Sequence, residues 1–370
     1  MIESHDDLTS LVEALGDAEV LGLDVEGDGF FRYHGRMCTL QIGDAEDVQV
    51  VDALAIEDLS PLAALLGPDG PLKVVHDVSF DRKMLATRGL TLANVFDTAI
   101  AARYLGHQST GLASLLEARF GVTLDKDHQL ADWGARPLDQ AQLDYLVADV
   151  HHLPELAAQL REEAREADIL DEIAEETEYA LERALDPEPV REPWTRVKGA
   201  RDLKGEALAA LKALADARER VAEERDVPPF RVAPNRALHE AARRKPRKLK
   251  HLRKVRGLRK VPDAALREAL EAAERDGPPD LGPAEPPPPP EVRNARKARE
   301  KALTQWRKKE AEAREVDLQV VLPGHCLRDL AQLDDPSEEA LADIAGLGDK
   351  RRARYGDAIL RALRDEDDAG

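Results

Sequence analysis

The apolar positions of this chain follow two rhythms, one of strands and one of helices. Residues 138–153 place Leu138, Ala141, Leu143, Leu146, Val147 and Val150 at helical spacing, which predicts an amphipathic helix. Tyr145 and Asp149 are four apart on it and share one side. Upstream, Val20–Glu26 is an apolar run ending in charge and predicts a buried strand. Asp24 and Glu26 are two apart on that strand and point to one face. Met37–Ile42 and Val48–Asp52 read as two more strands about the turn-like residues 43–46, and Leu72–His76 as a fourth. A helix is expected over 77–85, capped by Asp77 or Ser79, with Asp81 in its first turn where the helix dipole favours an anion. Helices follow over 97–105 and 111–120, and a Glu-rich stretch from Pro154 to about Ala184 reads as a solvated amphipathic helix.

Beyond residue 187 the rhythm is helical throughout. Leu208–Glu224 and Ala302–Ala313 are amphipathic, and each is followed by helix-period leucines and a Gly-Leu turn. The two stretches repeat each other at an offset of 89. Val232, Pro234, Leu238, Ala242, Leu252, Gly257 and Leu258 recur as Val321, Pro323, Leu327, Ala331, Leu341, Gly346 and Leu347, seven identities over 27 positions. Such a register points to a duplicated helical domain. Pro-rich residues 187–200 close the first region, and the stretch 277–292, with its prolines at 286–290, predicts a semi-rigid spacer. The expected domains are 1–190, 200–276 and 293–368.

Charge sharpens this division. The chain carries a net −20, but residues 1–190 hold 13 Lys and Arg against 39 Asp and Glu, a net of −26. The remainder holds 40 against 34. A phosphate-rich ligand would be met by the second half, or through metal ions by the first; a saline host would also explain the acidity. Between Arg243 and Lys260 there are 11 Lys or Arg in 18 residues and no acid. Within that run Arg243, Arg244, Lys245, Arg247, Lys248 and Lys250 are candidates for phosphate contacts that confer little sequence preference. The second copy carries Asp334, Asp335, Glu338, Glu339 and Asp343 over the comparable stretch; it is expected to bind such a ligand poorly and to brace the assembly.

Cys38 and Cys326 form no Cys-x-x-Cys pair, which excludes a cysteine zinc site or disulfide framework and reads as two small buried side chains in a reducing compartment. No apolar run approaches the roughly 18 residues of a membrane helix, and the acidic N-terminus does not read as a signal peptide. A cytoplasmic protein is expected. His76, His107, His128, His151 and His152 lack zinc spacing; packing, or a phosphate contact for His76, is their expected use. The loop Gly27–Tyr33, with Phe30, Phe31 and Tyr33, reads either as a base-stacking surface or as packing over the sheet edge.

Asp24, Glu26, Asp81, Tyr145 and Asp149 remain. Each alone is weak: an Asp-x-Glu at a strand end can face solvent, Asp81 can serve the helix dipole, and Tyr-x-x-x-Asp describes many polar helix faces. Together, their order and contexts resemble the DEDD family of 3′→5′ exonucleases. Asp24-x-Glu26 matches its first motif, His76-x-x-x-x-Asp81 its second and Tyr145-x-x-x-Asp149 its third, in the tyrosine branch. The stretch Asp127–Trp133, and Arg136-Pro-Leu138 followed by Gln142 and Tyr145, resemble the ribonuclease D family. Residues 194–204 and the repeats resemble that family's tandem HRDC domains. The resemblance implies an α/β, RNase H-like exonuclease domain, a mixed five-stranded sheet flanked by helices, followed by two all-α helical bundles. It further implies two divalent ions, Mg2+ or Mn2+, on Asp24, Glu26, Asp81 and Asp149. Tyr145 would orient the attacking water, since a phenol with an ordinary pKa near 10 is a poor base. His76, Lys126 and Arg136 are expected to contact nucleic acid. Implied partners are RNA 3′ ends, above all tRNA precursors, cut by a monomer that releases nucleoside 5′-monophosphates. A DNA exonuclease of Werner type and a non-catalytic nucleic-acid scaffold are the alternatives.

Overall fold

A computed structural model describes residues 1–124, 130–187, 191–280 and 286–364. The chain packs as two units: residues 1–26, 37–186 and 287–370 form one, and residues 27–36 with 187–286 form the other. These units cut across the linear order of domains, because the C-terminal helical region packs with the sheet.

In the first unit, strands β1 (Val20–Gly27), β2 (Met37–Gly43), β3 (Val48–Asp52), β4 (Leu72–Val75) and β5 (Val95–Asp97) form one sheet in the order β3-β2-β1-β4-β5. β2 and β3 are antiparallel, whereas β4 runs parallel to both β1 and β5. The strand period divides β1 between two surfaces. Leu21, Leu23 and Val25 enter one apolar core with Leu8, Leu40 and Leu62. Gly22, Asp24 and Glu26 therefore face the other side, where Val74, Val150, Leu153 and Leu156 pack. Helices α1 (His5–Leu15), α2 (Val78–Thr87), α3 (Thr98–Tyr104), α4 (Leu112–Phe120), α5 (Gln140–His151), α6 (Leu153–Glu166) and α7 (Leu170–Arg183) flank the sheet.

The Glu-rich stretch is two helices, α6 and α7, rather than one. The chain breaks at Asp168, which lies in the left-handed region at φ 53°. Nor is α7 merely solvated. Its Glu172 is fully buried, and Glu175 and Glu176 meet Arg351 and His325 of the C-terminal helices.

The second unit is built on α8 (Glu206–Glu224), with α9 (Asn235–Arg243) and α10 (Asp263–Asp276) packed on it. Loop 27–36 belongs to this unit, and its aromatics pack on second-unit residues, with Phe30 left half exposed. The Arg231 guanidinium lies 4.2 Å over the Phe31 ring, Phe30 contacts Phe230 at 5.1 Å, and the Tyr33 amide donates to Asp226. The loop closes on itself through buried Asp28, which accepts from the backbone and guanidinium of Arg36. The C-terminal copy in the first unit comprises α11 (Pro290–Arg314), α12 (Gly324–Leu330) and α13 (Asp349–Leu363) around Leu303, Leu322 and Ile359. Among the described residues no helix is long and apolar enough to cross a membrane. Both cysteines are buried thiols.

Candidate active site

Three elements carry the acidic residues to one place. Asp24 and Glu26 stand on the α5 side of β1 by strand alternation. Helix α5 begins at a capping box in which Asp139 accepts from the Gln142 amide at 2.9 Å and the Gln142 side chain accepts from the Asp139 amide at 3.0 Å. It then passes so near β1 that a Cβ on Gly22 would lie 2.8 Å from Val150 Cγ1 and 2.9 Å from the Val150 carbonyl. Glycine at 22 permits this approach, and Asp149, the neighbour of Val150, reaches the strand carboxylates through it. Oxygens of Asp24, Glu26 and Asp149 gather within 4.8 Å of one another.

Asp81 comes from α2. Neither Asp77 nor Ser79 caps that helix: Asp77 sits at the cap position in a left-handed conformation, φ 69°, with no side-chain bond to it. The cap is Asp97. Its carboxylate accepts from Asp77 N (3.3 Å) and Val78 N (2.9 Å) of α2, and from Ala99 N (2.8 Å) and Ile100 N (3.1 Å) of α3. One carboxylate thus fixes two helix starts. Sequence reasoning missed this residue, although an Asp directly before an apolar helix signals a cap. Asp81 is buried, so dipole service alone is a poor account of it. Burial, then Asp24, Asp97, Glu26 and Asp77, hold it well above the usual carboxylate range.

A cleft of about 600 Å³ joins these groups; it is lined by Asp24, Glu26, His76, Phe80, Asp81, Leu112, Tyr145 and Asp149 among others. Burial, then Asp149, pushes Asp24 up to about 7. Burial, then Asp24 and Asp149, pushes Glu26 up to about 9. Burial raises Asp149 to about 6, partly offset by a hydrogen bond from Tyr145. Among the described residues no lysine or arginine is paired with any of the four. Such a group cannot ionise fully at neutral pH without a cation. Its all-oxygen donor set fits a hard divalent ion such as magnesium or manganese.

Burial, then the neighbouring carboxylates, drives the Tyr145 phenol above its ordinary value. Its ring stacks on buried Trp133 at 5.7 Å. His76 lines the cleft, and its Nδ1 is 2.9 Å from Thr98 Oγ1. That hydroxyl donates its only proton to the Val75 carbonyl, so Nδ1 carries the imidazole proton and Nε2 is left as an acceptor. Burial holds the ring below the usual histidine range and hence neutral at pH 7. A neutral ring with an accepting Nε2 does not suit a phosphate oxygen, contrary to the expected contact.

Arg136 is likewise committed elsewhere. Its five donors go to both Asp52 oxygens and to the carbonyls of Cys38, Trp133 and Ala135. It pins the segment ahead of α5 to β2 and β3 and has no donor left for nucleic acid. Lys126 lies outside the described residues, as do His128 and part of the 127–133 motif. In the second unit, Arg243, Arg244, Lys245, Arg247, Lys248 and Lys250 are all exposed. Lys245, Arg247 and Lys248 line one cavity of about 740 Å³ with Arg267, a cation that the sequence run did not contain. Glu206, Glu271 and Glu274 share its wall, and Arg247 is paired to Glu206 at 2.9 Å. Arg244 pairs with Glu240.

The fold and this site define an exonuclease-type α/β domain followed by two helical modules. A family profile described as 3'-5' exonuclease matches residues 1–165, and one described as HRDC domain matches residues 207–262 and 296–363. Ribonuclease D of Cronobacter turicensis is 35% identical over 257 residues, 68% of this chain and 69% of that one. The chain belongs to the ribonuclease D family and is a hydrolytic 3′→5′ exonuclease. Two solved structures extend the likeness to nearly the whole length. A protein from Bifidobacterium adolescentis superposes with a TM-score of 0.80 at 25% identity, over 98% of this chain and 96% of that one. Escherichia coli RNase D, described as an exoribonuclease involved in structured RNA processing, gives 0.69 at 27%, over 99% and 98%.

Proposed function

We propose that the protein is a metal-dependent 3′→5′ exoribonuclease that trims structured RNAs, tRNA precursors among them, releasing one nucleoside 5′-monophosphate per cycle. The convergence of the Asp24, Glu26 and Asp149 oxygens within 4.8 Å, with Asp81 in the same cleft, is the observation that carries this reading. Asp24, Glu26, Asp81 and Asp149 would hold two divalent ions, Mg2+ or Mn2+. When bound, such ions neutralise charge on the scissile phosphodiester and lower the pKa of a water.

The chain's own groups complete the arrangement. Tyr145 donates its hydroxyl proton to Asp149, and a phenol oxygen has lone pairs with which to accept from the attacking water. With its pKa pushed up it orients that water and does not deprotonate it. The neutral His76 offers an acceptor to a sugar hydroxyl. In the second unit, the Lys245, Arg247 and Lys248 cluster suits nucleic-acid phosphates, and phosphate contacts give grip without sequence preference.

The test is nucleotide release from 3′-labelled single-stranded RNA and from a matched DNA, with and without Mg2+ or Mn2+. Metal-dependent release of mononucleotides from RNA is expected, lowered at least 1,000-fold in Asp149→Ala, on the order of a lost transition-state ligand. Equal release from both strands would remove RNA from the proposal. Undiminished release by Asp149→Ala would remove the active site.

A further inference from the structure

The carboxylates account for one part of the substrate, the phosphodiester. The rest of the cleft must hold the sugar and base of the terminal nucleotide. Its remaining lining is Val25, His76, Asp77, Phe80, Gly111, Leu112, Ala113, Ser114 and Leu124. Among the described residues, only His76 and Ser114 there, beside the acids, carry side-chain hydrogen-bonding groups, and the Nδ1 of His76 is tied to Thr98. Such a surface has little with which to read a base edge. It has one feature that suits a base face.

Phe80 is 47% exposed, one of few large apolar side chains left open to solvent. It is the third residue of α2 and directly precedes Asp81. A half-exposed phenyl ring beside a buried carboxylate does nothing for the core, and Phe80 belongs to none of the apolar clusters that pack the sheet. Tyr145, the other aromatic ring in the cleft, has Trp133 stacked against it and its hydroxyl engaged with Asp149. Among the described residues, Phe80 is thus the phenyl face that the cleft leaves open.

We infer that Phe80 is a base-binding residue that stacks on a nucleobase at the 3′ end of the substrate, and that base preference is set by stacking area instead of by hydrogen bonds. The inference rests on the exonuclease reading and adds its specificity. Every base offers a π face, so all four are accepted, and the larger purines are held more tightly. The anchoring of α2 by Asp97 fixes the ring relative to Asp81, and a base stacked on it draws its phosphodiester toward the carboxylates.

Stacking on an aromatic side chain is worth about 5- to 150-fold in affinity by alanine substitution. The experiment compares wild-type full-length protein with Phe80→Ala and Phe80→Trp on single-stranded RNAs ending in A or C, with Mg2+. Expected for Phe80→Ala is a KM raised about tenfold, a kcat within about threefold of wild type, and a smaller preference for A over C. Phe80→Trp restores the wild-type KM. Calorimetric titration with adenosine and cytidine 5′-monophosphates gives a readout apart from turnover: Phe80→Ala weakens the first more than the second. A KM within twofold of wild type, or a fall in kcat at unchanged KM, overturns the inference while leaving the exonuclease intact. A wild type that releases no nucleotide overturns the exonuclease reading instead. The exposure of Phe80 makes misfolding of either variant unexpected, and matching circular dichroism melts verify it.

Discussion

At the scale of single residues, the site is organised by an electrostatic conflict. Asp24, Glu26 and Asp149 would each titrate near pH 4 in an unfolded chain, yet burial raises all three, and repulsion from their neighbours raises Asp24 and Glu26 further, to about 7, 9 and 6. Between about pH 4 and those values the folded chain holds more protons than the unfolded one. Its stability is full at acid pH and declines as pH rises through the folded values. The metal-free protein is therefore expected to melt at a lower temperature at pH 8.5 than at pH 5.5. Magnesium, binding the ionised carboxylates, should narrow that gap mainly from the alkaline side. Asp24→Asn removes one of the repelling charges. It should raise the metal-free melting temperature at pH 8.5 and blunt the magnesium effect, while also abolishing activity. Melting curves at the two pH values, with EDTA or Mg2+, check this. A metal-free protein equally stable at both would mean that the carboxylates do not repel as described.

At the scale of elements, the decisive contact is that of α5 on β1. Gly22 lacks the Cβ that would meet Val150 Cγ1 at 2.8 Å and the Val150 carbonyl at 2.9 Å. The second of these contacts is to backbone and is not relieved by a rotamer change. Gly22→Ala should displace α5 by tenths of an ångström and cost about 1–3 kcal/mol, the usual range for overpacking. Because Asp149 rides on α5, activity should fall by about tenfold or more. Urea denaturation and Mn2+ titration of the same preparation separate the two effects. Unaltered Mn2+ affinity would mean that the approach of α5 does not set the site. How much of this was legible in the sequence follows from the range of each interaction. The period of two in β1 and the spacing of four in α5 showed which side chains share a face. Asp81 was placed by its position after a strand. The Asp97 cap on α2 joins residues about 20 apart in sequence, and the Arg136–Asp52 pair joins residues 84 apart. No local pattern carries those partners, so the sequence alone offers Asp77 as a cap and Arg136 as a ligand contact.

At the scale of the whole chain, the charge asymmetry had a third use beyond metal ions and salt. Part of the acidity before residue 190 lies on α7, and the C-terminal helices answer it with cations. The Arg351 side chain is fully buried. It donates to Glu175 at 2.8 Å, to the carbonyls of Val320 and Glu172 at 3.0 and 3.1 Å, and to Tyr104 Oη at 3.2 Å. Arg354 pairs with buried Glu172 at 2.9 Å, and the His325 ring stacks on Tyr179 at 3.7 Å beside Glu176. This is how the acid-rich second repeat is tied to the sheet. The repeat matches the first in its apolar frame, and its Arg351, Arg354 and His325 are turned to α7. Removing one partner of a buried pair leaves the other charge desolvated, at a cost of about 3–5 kcal/mol. Arg351→Ala should therefore lower stability by that order in urea denaturation of the full chain. It should also selectively increase hydrogen exchange in residues 318–363, while the amides of β1 and β4 stay protected. Loss of protection throughout the sheet would show instead that the C-terminal helices are part of the same cooperative core. Unchanged exchange in 318–363 would show that apolar contacts alone dock them.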